Sequence, residues 1–140
     1  MSICAPHRLA IDGWGPTAMQ RGIGPLGEDI AAHHLVTRDR LVVIARNWRP
    51  EHPEVRGEVD IVAHDPADAT LVVCEVKTRR DATRFGGAVA ALGRPQRARL
   101  RLLAAECARQ LTQPVRTIRG DLVAVDLGRA PMVTHVIDAW

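Results

Sequence analysis

A chain of 140 residues with 46% hydrophobic residues fits one domain with a single core, and one Phe, three Trp and no Tyr make that core aliphatic and exclude base stacking as a main binding device. The formal net charge of +3 hides an asymmetry, because residues 79–119 carry ten Arg against Asp81 and Glu106 and leave the remainder acidic, as a basic surface for a polyanion beside an acidic centre would. Cys4, Cys74 and Cys107 have no CxxC spacing, which argues against a disulfide framework or a structural zinc site, and no apolar run approaches the ~18 residues of a membrane span.

In chain order, residues 1–25 hold four Gly and three Pro without periodicity and read as a loosely ordered arm, within which Met19 offers an alternative start. The N-terminus lacks the basic-then-apolar order of a signal peptide, so a soluble protein in a reducing cytoplasm is expected. Residues 26–140 then form one domain. From Gly27, GEDIAAHHLVTRD places Ile30, His34 and Leu35 on one helical face, with Glu28 and Asp29 suited to the positive end of the dipole. LVVIARNW at 41–48 is a β-branched strand, RPEHPEVRG a Pro-punctuated loop, and GEVDIVAH, DPADAT and LVVCEVK read as strand, turn, strand. PQRARLRLLAAECARQL has Pro in its first turn and Leu100, Leu103, Ala104, Cys107 and Leu111 at helical spacing. Strands at 115–127 and 132–139 complete an α-β-β-β-α-β order with a final β.

Three charges interrupt the strand pair at 57–80. Strand side chains alternate, so Glu75 and Lys77 share a face while Cys74 and Val76 take the other, and a hairpin with 57–64 brings Asp60 to the same patch. Buried charges need partners or an ion, and two hard carboxylates suit Mg²⁺ or Mn²⁺, which activate water and stabilise charge on a phosphate. Lys77 is the only lysine among nineteen basic residues, and Lys, unlike Arg, is a compact charge that can lose its proton. A Glu75–Lys77 surface ion pair is the plainer alternative.

Asp60 followed by Glu75-x-Lys77 in this order of elements resembles the PD-(D/E)xK nuclease superfamily of restriction-endonuclease-like folds, and specifically the small bacterial YraN-like proteins. The resemblance spans about residues 21–127 and rests on GED at 27–29, RNW at 46–48, GEVDIVAHD at 57–65, CEVKTRR at 74–80, FGGAV at 85–89 and RGDLVAV at 119–125. It implies an α/β fold with a mixed central sheet flanked by helices. It implies a metal bound by Asp60 and Glu75 with Glu28 of the first helix assisting them, water activation by Lys77, and a cytoplasmic role in DNA processing, with branched or nicked DNA as substrate. Val59 stands where the superfamily's namesake has Pro, Pro95 where relatives carry Lys, Gly120 where an aromatic is common, and the loop 50–56 is longer than usual.

Two features of the second helix bear on a site. Gln96 falls on the apolar face with Leu100 and Leu103, where a polar group needs a partner near the metal water or at the end of the stripe. Arg94, Arg97 and Arg101 share its flank and, with Arg79 and Arg80, offer a phosphate-binding edge, ordinary solvation being the alternative.

Other chemistries are excluded cheaply. Ser2 is the only serine, no G-K-[ST] occurs, and Cys74 and Cys107 sit at core positions. Adjacent His33 and His34 face different ways on a helix, and Asp121 beside Arg119 reads as a structural ion pair. A metal-dependent endonuclease, a catalytically silent nuclease-like domain that binds DNA or a repair partner, and a purely structural domain therefore stay open, as do a homodimer and a DNA-repair protein as partners.

Overall fold

The β-branched runs of the chain become the strands of one sheet. The computed structural model describes residues 1–5, 7–8, 22–80 and 92–140, so Met19 and the FGGAV stretch at 85–89 lie outside the described residues. Strands β1 (Ser2–Ile3) and β2 (His7–Arg8) precede helix α1 (Ile23–Thr37), which is followed by β3 (Val42–Trp48), β4 (Val59–Asp65), β5 (Thr70–Arg79), helix α2 (Arg94–Gln110), β6 (Thr117–Asp126) and β7 (Met132–Ile137). The sheet runs β1-β7-β6-β5-β4-β3, and β2 also pairs with β7. Among the described strands only β5 and β6 are parallel, in register from Thr70↔Thr117 to Arg79↔Asp126, because α2 carries the chain back between them. This is a restriction-endonuclease-like α-β-β-β-α-β core with a mixed sheet. Two pieces of the segment read as a loose arm belong to the sheet, since β1 and β2 cover the outer edge of β7.

The helices cover opposite faces. Leu26, Ile30, Ala31 and Leu35 of α1 pack on Ile61, Ala63, Val72, Cys74 and Val123, whereas Leu100, Leu103, Ala104 and Cys107 of α2 pack on Val62, Leu71, Val73 and Leu122. Cys74 and Glu75 therefore look in opposite directions, and Cys74 and Cys107 are buried, as their positions predict.

Helix α1 begins at Ile23, four residues before the expected Gly27, so no acidic residue lies in its first turn. Glu28 and Asp29 act through side chains instead. Arg46 donates to Asp29 at 2.6 Å, and Asn47, in the left-handed region with φ 50°, donates to Glu28 at 3.1 Å and to Glu58 at 3.3 Å. Trp48 packs against the α2-side core. The GED and RNW motifs thus interlock and fix α1 on β3.

Gly27 has a separate reason to be glycine: a Cβ there would overlap Thr78 Oγ1 of β5. At Gly120 the missing side chain is replaced from elsewhere, because the Trp140 ring occupies the space a Cβ would need. The expected result for Gly27→Ala is a loss of about 1–3 kcal/mol from overpacking, although Ala is the better helix former by roughly 1 kcal/mol. Thr78→Ala should recover part of that loss in the double variant, as read by urea denaturation; a Gly27→Ala single variant as stable as wild type would remove this contact from the packing of α1.

Candidate functional site

The pairing of β4 with β5 ends at Ile61↔Cys74. One residue beyond, Asp60 Oδ2 accepts the Val76 N–H at 2.7 Å, so a carboxylate takes the donor that a continued ladder would have used. On the α2 side of β5, Glu75 is only 6% exposed, and among the described residues both of its donors fall on Oε1: Lys77 Nζ at 2.6 Å and Gln96 Nε2 at 2.8 Å. Asp60 and Glu75 line one open cavity of about 370 Å³ together with Arg49, Gly57, Glu58 and Arg99. Gly57 has φ +136°, and its missing Cβ would meet Leu103 Cδ1 at 3.0 Å, so the entry to β4 passes close beneath α2.

Burial first and then the Glu75 charge push the Asp60 carboxyl up to about 6; the Val76 N–H opposes this, Glu28 adds to it and Lys77 subtracts. Burial also raises Glu28, against the pull of Arg46 and with the push of Glu58. The walls of the cavity are therefore a set of acids not fully compensated, with Lys77 and two arginines at their margin.

The structure brings Asp60, Glu75, Lys77 and Gln96 together and sets Glu28 beside them, joined to Glu58 through Asn47. Gln96 bonds the Glu75 carboxylate directly. The arginines are arranged otherwise. Arg94 and Arg101 are exposed, Arg97 donates to Leu92 O at 3.0 Å, Arg79 is half-buried at the end of β5 and Arg80 is exposed just beyond it; none of the five lines the cavity. The helix residue that does is Arg99. It lies three positions after Gln96, and once Gln96 is placed toward the strand carboxylates the i,i+3 relation points to it. Glu58 was equally legible: it lies just before β4, in the stretch that reads as a strand, and period two puts it on the side of Asp60. Arg49, on the loop side, is held to Glu58 at 2.7 Å.

A second polar group lies on the α1 face. Among the described residues, His34, Asp39 and His135 form a group of three whose ligand atoms all lie within 4.8 Å of one another and could hold a metal ion. His34 faces the core, as its helical position predicts, and its neighbours come from beyond the helix end and from β7. Arg119 binds Asp121 at 2.9 Å, the ion pair expected at that strand start.

Comparison with known proteins follows the same residues. The family model described as "Uncharacterised protein family UPF0102" matches residues 27–125. A UPF0102 protein of Mycobacterium sp. (strain JLS) is 38% identical over 122 residues, covering 86% of each chain. One from Nocardioides sp. (strain ATCC BAA-499 / JS614) is 40% identical over 121 residues, 85% of this chain and 91% of the relative. One from Parafrankia sp. (strain EAN1pec) is 43% identical over 103 residues, 74% and 80% of the two chains.

The Asp60 environment has a pH signature. Between the ordinary 3.8 and about 6, the folded chain keeps a proton on Asp60 that the unfolded chain has released, so stability is lost as pH rises through that window. Asp60→Asn removes this contribution. Relative to wild type the variant should gain stability with rising pH across the window and hold a constant difference above it, measured by urea denaturation at several pH values. A difference independent of pH would mean that Asp60 ionises as a solvent-exposed carboxylate does.

Proposed function

The chain belongs to the uncharacterised protein family UPF0102, the YraN family, and from that premise we propose that it is a metal-dependent endonuclease hydrolysing phosphodiester bonds of DNA, with branched or nicked DNA as the substrate class. The observation that carries this reading is the convergence of Asp60 and Glu75 on one open polar cavity, with the proton affinity of Asp60 raised first by burial and then by its neighbour's charge. Two carboxylates held close against their mutual repulsion favour a cation between them. Their oxygens are hard donors, which suits Mg²⁺ or Mn²⁺ held by Asp60 and Glu75, with Glu28 behind them through its charge. Such an ion, when bound, supplies a water of lowered pKa and a positive charge beside the phosphate.

The remaining roles belong to the chain. Gln96 and Lys77 hold Glu75 Oε1 from two sides and so fix the carboxylate plane. Lys77 Nζ spends one of its three donors on Glu75, and the other two suit a water that attacks phosphorus. Arg49 and Arg99, on the cavity wall, suit the phosphates flanking the scissile bond, and Arg79, Arg80, Arg94, Arg97 and Arg101 suit more distant ones. The 2.6 Å contact between Lys77 and Glu75 also favours a second reading, a structural ion pair in a domain that binds DNA without cutting it.

Substitution of Lys77 separates the two. A purely structural pair asks only for a positive charge beside the buried Glu75 carboxylate, which Arg supplies. A lysine that positions the attacking water is not replaced by Arg, since guanidinium is planar, larger and always charged. The expected outcome is that Lys77→Arg and Lys77→Ala both lose cleavage by on the order of 10²- to 10⁴-fold while DNA affinity is kept. The assay is single-turnover nicking of linear, flapped and four-way DNA with saturating Mn²⁺, with Asp60→Ala as the inactive control. Full cleavage by the Arg variant, or no cleavage by wild type on any of these substrates, would overturn the catalytic reading.

A further expectation concerns the arginines. DNA affinity should fall with salt at a slope of roughly −0.9 per phosphate neutralised, and Arg49→Ala with Arg99→Ala should flatten that slope by about two phosphates. Replacing Arg94, Arg97 and Arg101 together should flatten it too if the whole basic edge of α2 meets the backbone, and an unchanged slope in the triple variant would confine the interface to the cavity mouth.

A further inference from the structure

On the face of the sheet opposite the carboxylate cavity, Asp121 is fully buried and its two oxygens are saturated: Arg119 and the Asp138 N–H bond it, and His135 Nε2 lies 2.8 Å away. With Arg119 neutralising the carboxylate, the His135 Nε2 carries the proton and donates to Asp121 Oδ2. That contact orients the ring, so Nδ1 turns toward Asp39 Oδ2 at 3.0 Å. The contact is short but off the line a hydrogen bond requires, and both atoms are buried without a hydrogen-bond partner. His34 Nε2 lies 3.7 Å from the same Asp39 oxygen, and the two imidazoles meet edge to face with centroids 6.1 Å apart.

Two acceptor atoms facing each other in the interior need something positive between them. A proton bridges Nδ1 and Oδ2 but leaves His34 outside the bridge. A tetrahedral ion with bonds of ~2.0–2.1 Å sets its ligand atoms about 3.3 Å apart, between the 3.0 and 3.7 Å found here. The carboxylate on the far nitrogen of His135 is the partner that metal-binding histidines ordinarily have.

We propose that His34 Nε2, Asp39 Oδ2 and His135 Nδ1 form a binding site for a borderline divalent transition-metal ion, Zn²⁺ first among them, that ties the end of α1 to β7. Imidazole donors separate this site from one for Mg²⁺, which prefers oxygen throughout. The lack of CxxC pairs bears only on thiolate sites. His135 is fully enclosed, whereas the Asp39 side chain is 23% exposed and gives the ion its way in. Three protein ligands leave the fourth position of a tetrahedral ion to a water entering past Asp39, and the binding free energy of the ion adds to folding. The site is independent of the nuclease reading.

The test uses the full chain carrying Asp60→Ala and Glu75→Ala, so that the carboxylate cavity contributes no metal signal, with circular dichroism confirming the fold. Three readouts apply: zinc content after dialysis, the visible spectrum on Co²⁺ loading, and the thermal midpoint with Zn²⁺ in the presence of excess Mg²⁺. The expected result is one Zn²⁺ per chain, the intense visible bands of four-coordinate Co²⁺, and a raised midpoint that Mg²⁺ does not reproduce. His34→Gln and Asp39→Asn, made separately, should each weaken Zn²⁺ binding at least ~10-fold. No zinc retained by the parent chain, or affinity unchanged in both variants, would overturn the proposal and leave a proton as the bridge. Should either variant fail to fold, the parent spectrum decides: weak six-coordinate bands would equally overturn it.

Discussion

The bond from the Val76 N–H to Asp60 Oδ2 governs the arrangement around it. Where β4 and β5 stop pairing, a backbone donor would be left facing the interior, and an orphaned buried N–H costs about 1–3 kcal/mol. The carboxylate satisfies it and is thereby held within range of Glu75 rather than turning to solvent. The opening between the strands becomes the cavity, Gly57 lets the chain enter it under α2, and Gln96 and Arg99 close it from the helix side. Proton affinity is the other side of the same constraint. A carboxylate drawn largely out of water, and pinned beside a second one, holds a proton at a pH where an ordinary Asp has lost it.

The two faces of the sheet hold different chemistries a few residues apart in sequence. Toward α2 the donors are carboxylate oxygens with an amine and an amide; toward α1 they are two imidazoles and one carboxylate. Alternation along the strands makes this separation, since Asp121 of β6 points to the α1 side while its neighbour Leu122 packs on the α2 side. An ion with a preference for oxygen and one with a preference for nitrogen would thus meet sites separated by the thickness of the sheet.

Much of the strand framework was legible because β-branched runs with turn residues between them leave few alternatives, and 71–77 lies wholly within β5. The convergence of Asp60, Glu75 and Lys77 was legible for the same reason: period two and one hairpin are enough to derive it. The start of α1 was not, because Gly24 and Pro25 look like loop residues, yet Pro in a first turn loses no intrahelical bond. Arg99 was harder to single out, because α2 carries four arginines between 94 and 101 and only the position of Gln96 distinguishes the one that faces the cavity. The His34–Asp39–His135 group could not have been found from spacing. His34 and His135 stand at opposite ends of the domain's sequence, and what joins them is the order of strands, which no local period encodes.

The single parallel ladder also orders events in time. β3, β4 and β5 are consecutive and antiparallel, so they can pair by short loop closures, whereas joining Thr70 to Thr117 requires the whole crossover through α2 first. Asp60, Glu75 and Lys77 all sit on the early part. A chain emerging from the ribosome would therefore assemble its acidic half before Gln96 and Arg99 exist to cover it, and β1, made first, must wait for β7, made last, before its edge is paired.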